Sequence, residues 1–170
     1  MALQITSDEK EPVSKIVKSV TGILQKNKLL TLSTYDETRK QPHCCSAYYV
    51  FDDEFNIYVW TSPESVHGKH IKENSNLAVN IADTKQPWGS QLQGLQIHGT
   101  ARLVTLSELV KAGAMYLKRF SKAMMRVKNA KDFHAKRFQS RIFKIAPSMI
   151  KVFDKKAFKE GEGRIIRLHR

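Results

Sequence analysis

The residues best suited to chemistry gather in one stretch, YVWTSPESVHGKHIKENSNLA, residues 58–78. Thr61, Ser62, Pro63, Glu64 and Ser65 form a hydroxyl-rich turn after the strand formers Ile57, Tyr58, Val59 and Trp60. Ser65 reads as a helix N-cap, followed at once by His67, Lys69 and His70. A helix start has free backbone N–H groups and a positive dipole end, so hydroxyls and cationic side chains beside it make an anion or phosphate cradle. The plainer alternative is a solvated strand–helix connection. His67 and His70 stand at i, i+3, a spacing that could hold a metal, but no carboxylate or cysteine is fixed nearby in sequence. Exposed or phosphate-facing histidines are the expectation, and no metal is assigned. His43, Cys44 and Cys45 suggest zinc or thiol chemistry. On a strand His43 and Cys45 face one way and Cys44 the other. The reading adopted for both cysteines is small buried hydrophobes. No Gly-rich phosphate loop, serine-nucleophile elbow or kinase-like motif is present.

These residues must be positioned by a mostly β chain. Residues 12–27 form an amphipathic helix with Val13, Ile16, Val17, Val20 and Leu24 on one face. Residues 28–35, 42–51 and 56–61 alternate as strands joined by the polar turns 36–41 and 52–55, an antiparallel meander. A short helix at 65–74, weakened by Gly68, leads to a strand at 77–83. The loop 84–91 carries Trp88, and a long strand follows at 92–104, where Gly94 and Gly99 suggest bulges or a close backbone approach. A helical region capped by Ser107 spans 107–137, with a break near Ser121 or at Asn129-Ala130. Strands at 139–147, 149–154 and 164–168 close the chain. Seven or eight antiparallel strands must close or stack to bury their faces, and a small barrel with peripheral helices satisfies that need.

The chain has 170 residues, enough for one domain with a core that needs no staples. The expected organisation is a single domain over 1–170: a helix at 12–27, a barrel core at 28–104, a helical insertion at 107–137 and closing strands at 139–170. No apolar run has membrane-span length, and MALQITSDEKEP lacks the pattern of a secretory signal. With only two adjacent cysteines, a reduced cytoplasmic setting is expected. The net charge of +13 favours anionic partners: phosphorylated ligands, nucleic acid or an anionic surface. Residues 111–141 carry Lys111, Lys118, Arg119, Lys122, Arg126, Lys128, Lys131, Lys136, Arg137 and Arg141, interleaved with Tyr116, Phe120, Phe133 and Phe138. The favoured reading makes the aromatics a buried stripe and the cations its wet face. The other reading is a nucleic-acid surface.

From Leu29 to Val104 the order of features resembles the FMN-binding split-barrel superfamily, the pyridoxamine 5′-phosphate oxidase-like proteins. LLTLSTYDETRKQPHCCSAYYVFDDEFNIYVWTS resembles that family's opening meander, SVHGKHIKENSNLAVNI its phosphate-binding turn, helix and following strand, and GLQIHGTARLV its strand carrying a Gln and a Gly-x-Ala. KVFDKKAF and GRIIRLHR further resemble a small, uncharacterised bacterial branch. The resemblance implies a mainly β, α+β fold: an antiparallel split β-barrel of six to eight strands with peripheral helices. It also implies a homodimer with FMN at the subunit interface. Trp60, Thr61 and Ser62 would line the isoalloxazine ring, Ser65, His67 and Lys69 would bind the phosphate, Gln96 would approach the flavin and Trp88 would cover the site. His67 stands where many members have Lys or Arg, and histidine is a weaker, pH-dependent anion partner. The full substrate-phosphate set of the B6 enzyme is absent, so vitamin B6 synthesis is not expected. The function implied is a flavin-dependent oxidoreductase acting on a small-molecule substrate. The alternatives are a cofactor-free split-barrel binding module and a basic, non-specific nucleic-acid-binding protein.

Overall fold

Alternation of buried and exposed residues along most strands closes the sheet around one apolar interior. The computed structural model describes residues 3–121, 127, 129, 132–133, 139–158 and 163–170. In chain order the elements are β1 (Gln4–Thr6), α1 (Val13–Lys26), β2 (Leu29–Asp36), β3 (Gln41–Phe51), β4 (Ile57–Thr61), α2 (Val66–Glu73), β5 (Asn76–Ala82), β6 (Gln93–Leu103), α3 (Leu106–Arg119), β7 (Arg141–Asp154) and β8 (Arg164–His169). The strands run in the order β1-β8-β7-β4-β3-β2-β5-β6, and β6 pairs back onto β7. Six strands, β2 to β7, therefore form a closed antiparallel barrel, with β8 and β1 added outside β7. Leu30, Leu32, Val59, Val79, Ile81, Leu95, Ile97, Ile145 and Ile150 fill the interior, and α1 plugs it with Ile16, Val20, Ile23 and Leu24. Each such side chain, taken fully out of water, contributes about 1.5–3 kcal/mol before entropy is counted.

A second cluster lies outside the barrel wall. Val50, Tyr58 and Ile142 pack under Leu109, Ala112 and Tyr116 of α3, with Val127 and Phe133. The buried aromatic stripe expected in this region is present at Tyr116 and Phe133, while Phe138 lies outside the described residues, as do Lys122, Arg126, Lys128, Lys131, Lys136 and Arg137. Two of the remaining cations are internal ties. Lys111 pairs with buried Asp52 at 2.8 Å, and Arg119 donates to the α1 carbonyls of Leu24 (2.9 Å) and Gln25 (3.3 Å) and to that of Asn27.

Several elements differ from the sequence reading. β1 was not expected: three residues show no usable period, and pairing with β8 holds them. The strands expected at 139–147 and 149–154 are one strand, β7, because β6 pairs with it from Phe143 to Asp154, Pro147 standing opposite Gly99 and Ser148 taken up in a bulge at His98/Gly99. A Cβ on Gly99 would sit 2.4 Å from the Ala146 carbonyl, the close approach its sequence position suggested. The third helix is capped by Thr105, not Ser107: Thr105 and Glu108 complete a capping box. That helix ends at Arg119, in keeping with the break expected near Ser121.

β3 and β4 produce the feature that matters for function. Their pairing covers only Tyr49↔Val59, Val50↔Tyr58 and Phe51↔Ile57, whereas β3 pairs with β2 from Gln41 to Tyr48. Residues 41–48 of β3 therefore leave β4, and the barrel wall splits. Tyr116 braces the fork from outside. Its buried hydroxyl lies 2.9 Å from the Tyr58 carbonyl and 3.0 Å from that of Tyr48, one on each diverging strand.

Candidate functional site

The cleft opens where the strands part. A cavity of about 600 Å³ is lined by Lys28, Ser46, Ala47, Tyr48, Trp60, Thr61, Tyr116 and Phe120. Trp60 packs edge-on against Phe133 with ring centres 5.0 Å apart, and its indole N–H donates to the Phe133 carbonyl at 3.3 Å. Tyr48 is exposed and meets Phe120 edge-on at 5.5 Å. Two rigid aromatics and a lysine thus face an open, largely apolar space.

Thr61 links this cavity to α2. Ser65 is the helix N-cap: its Oγ accepts from the Gly68 N–H at 3.2 Å and donates to the Ser62 carbonyl at 2.6 Å. Its only proton is therefore spent, and toward His67 Nε2, 3.0 Å away, Ser65 Oγ is an acceptor. This assigns the His67 proton to Nε2, beside Thr61 Oγ1 at 2.6 Å, and leaves Nδ1 bare, facing Cys45 Sγ at 3.4 Å. Burial, then the neighbouring His43 and His70, hold the His67 pKa below its ordinary value. Burial, with Cys44 beside it, raises that of the Cys45 thiol.

His70 is locked one turn further on. Its Nδ1 lies 3.1 Å from Thr34 Oγ1 and its Nε2 3.4 Å from Asp36 Oδ2. The His43 ring sits between the two, stacked on His67 at 6.2 Å and edge-on to His70 at 5.6 Å. Two expectations are corrected here. His70 is buried rather than exposed or phosphate-facing, because α2 lies on the barrel mouth and period 3.6 turns residue 70 inward with Ile71. Of the two cysteines expected to be buried hydrophobes, Cys44 is exposed because it points to the outer face of β3, while Cys45, on the inner face, is half-buried and packs against the barrel core.

The expected site residues fall into three groups. Trp60, Thr61, Ser65 and His67 form one connected arrangement of cavity wall and capped turn. Ser62 serves the turn itself, its carbonyl accepting from Ser65 N–H and its Oγ from Glu64 N–H, and Lys69 is exposed on the adjacent helix surface. Gln96 and Trp88 are exposed elsewhere and do not line the cavity: Gln96 stands outside β6 between Asn80 and Lys151, and Trp88 lies in the loop before β6. Sequence reasoning missed Lys28, Ser46, Tyr48, Tyr116 and Phe120. The period-2 exposure of Ser46 and Tyr48 on β3 was the available signal.

A six-strand antiparallel barrel with one incompletely paired wall, and a capped helix at the opening, defines a split-barrel protein. This chain belongs to the pyridoxamine 5′-phosphate oxidase family, whose model matches residues 16–153. Among solved structures it is similar to a protein of unknown function from Agrobacterium tumefaciens, with 15% identity and a TM-score of 0.66 over 84% of this chain and 57% of that one. The chain thus spans little more than half the length of that relative. It is also similar to the heme storage protein HutZ from Vibrio cholerae (19% identity, TM-score 0.61, 76% of this chain and 88% of that one). A third is an FAD-binding protein from Mesorhizobium loti (13% identity, TM-score 0.60, all of both chains). At such identities the likeness is one of fold. The comparison with curated proteins finds no match. No helix among the described residues is long and apolar enough to cross a membrane.

Proposed function

We propose that the cleft binds a flavin, FMN in particular, and that the protein is a homodimeric flavin-dependent oxidoreductase acting on a small molecule. The observation that carries this reading is the continuity of the cavity with the start of α2 through Thr61. The cavity of about 600 Å³ is in the range that takes a cofactor-sized ligand. Trp60 and Tyr48 offer faces to a planar ring. At the other end α2 presents the positive end of its dipole, with the Gly68 N–H taken by Ser65 Oγ, and Lys69 and the net charge of +13 favour an anionic tail. His67 is a poor cation here, because burial and the neighbouring His43 and His70 lower its pKa. The phosphate role therefore passes to Lys69 and the helix N–H groups.

The outer sheet face supports the dimer. Across β3, β2, β5 and β6 the register aligns Ser46, Thr31, Asn80 and Gln96 in one row and Cys44, Ser33, Ala78 and His98 in the next. None of these is Lys, Arg, Asp or Glu, in a chain where such residues make up 26%. A second copy on this face would bring its own Gln96 towards the cleft, which a lone chain does not do. The flavin, when bound, supplies the redox chemistry, and the residues named here bind and orient it. Fluorescence titration of FMN into the protein should show saturable quenching at one flavin per chain, weakened by Lys69→Ala and by Trp60→Ala. A parent protein that leaves FMN fluorescence unchanged at micromolar concentration sinks the proposal.

A further inference from the structure

Beneath the cleft, at the edge of the apolar core on which Cys45 packs, three nitrogen and sulfur donors converge. The ligand atoms of His43, Cys45 and His67 all lie within 4.8 Å of one another, and all three residues are half-buried. We propose that these three residues form a mononuclear site for zinc or a chemically similar divalent ion.

The geometry is close to what zinc needs. With Zn–S of about 2.3 Å and Zn–N of about 2.0–2.1 Å, tetrahedral angles put sulfur and nitrogen about 3.5 Å apart. Cys45 Sγ and His67 Nδ1 are already 3.4 Å apart. His43 needs a displacement on the order of 1 Å to complete the triangle. The donor set selects the ion: two imidazoles and a thiol suit zinc, and no carboxylate is present to favour calcium or magnesium. Asp36, the nearest acid in this group, is occupied by His70 and by the N–H groups of Thr38 and Arg39.

The surrounding shell orients the ligands. Thr61 Oγ1 and Ser65 Oγ hold His67 by Nε2 and thereby aim the Nδ1 lone pair at Cys45. Thr34 and Asp36 fix His70, whose ring edge packs on His43. Cys44 points to the opposite face of β3 and is not a ligand. Three protein ligands leave a fourth position for water or another donor. On binding, the Cys45 S–H bond breaks, its proton leaves to solvent, and the thiolate sulfur donates to the ion. The Ser-x-His order of the α2 turn thus serves a metal: the histidine in the position of the family's phosphate-binding cation is turned inward. This inference is independent of the flavin reading, since the ion lies under the cleft wall and the cavity remains open.

The test uses the full chain, stripped with a chelator and kept reduced. Titrated with Co²⁺, it should develop visible tetrahedral d–d bands and a near-ultraviolet thiolate-to-cobalt band, both saturating at one ion per chain and bleached by Zn²⁺. Cys45→Ser should abolish the thiolate band and weaken zinc, measured by competition with a chromophoric chelator, at least about tenfold. Thr61→Val should weaken zinc by about tenfold. Cys44→Ser should change neither. His43→Ala is a second ligand variant should Cys45→Ser fail to fold, with metal-free thermal melts reporting folding. A parent without a thiolate band, a Cys44→Ser variant that loses it, or ligand variants that bind zinc as the parent does would each overturn the site. Flavin occupancy is read separately by fluorescence, so failure of one proposal leaves the other standing.

Discussion

Replacing Gly68 by alanine sets two physical effects against each other. Gly68 lies in the first turn of α2. Helix propensity alone favours alanine by roughly 1 kcal/mol, so a reading of the sequence predicts stabilisation. The structure reverses the sign. A Cβ at this position would lie 2.4 Å from the Ser62 carbonyl oxygen and 2.6 Å from that of Pro63. Both obstacles are backbone and cannot rotate away, so the 62–65 turn and α2 must separate. Overpacking of this kind costs about 1–3 kcal/mol, and the displaced Ser65 cap adds about 1 kcal/mol. Against the propensity gain the net is a destabilisation of about 1–3 kcal/mol. For a chain of this size each kcal/mol shifts Tm by about 2–4 °C, so calorimetry should find Tm lowered by roughly 2–12 °C. The same displacement moves His67 relative to Thr61 and Cys45. A Gly68→Ala variant as stable as the parent, or more so, would refute the claim that the turn is packed backbone to backbone on α2.

Three further outcomes follow from other parts of the molecule. Tyr116→Phe removes the single hydroxyl proton shared between the Tyr58 and Tyr48 carbonyls and leaves the buried Tyr58 carbonyl short of a donor, so urea denaturation should show a loss of about 1–2 kcal/mol. Glu108 is held well below the ordinary carboxylate pKa, first by Arg102 and then by the Thr105 N–H and Lys144. A depressed folded pKa means its contribution is present above the unfolded value near 4.5 and is lost as pH falls, so the stability gap between parent and Glu108→Gln should be full at pH 7 and shrink below about pH 4. Asn80→Lys puts a charge in the middle of the uncharged sheet face, next to Thr31 and Gln96, and sedimentation should then show monomer where the parent sediments as a dimer.

The meander, the two helices flanking it and the Gly-rich long strand were legible because each has its own local period or punctuation. Ser65 as a cap was legible for the same reason: its Oγ satisfies an N–H three residues away, a strictly local event. So was the side of β3 on which His43 and Cys45 stand, since strand alternation decides it. What sequence could not supply was any distance between elements. Residues 43, 45 and 67 belong to a strand and a helix with a second strand between them, and only barrel closure brings their donors together. The misjudged exposure of His70, Cys44 and Cys45 has the same origin, for burial depends on which neighbour covers a residue. α2 turns residue 70 inward with Ile71, so His70 is covered, while Cys44 points to the outer face of β3 and stays exposed. The cleft was illegible for a like reason: pairing register is a property of two strands and the core that fixes them, and neither strand alone records where they part.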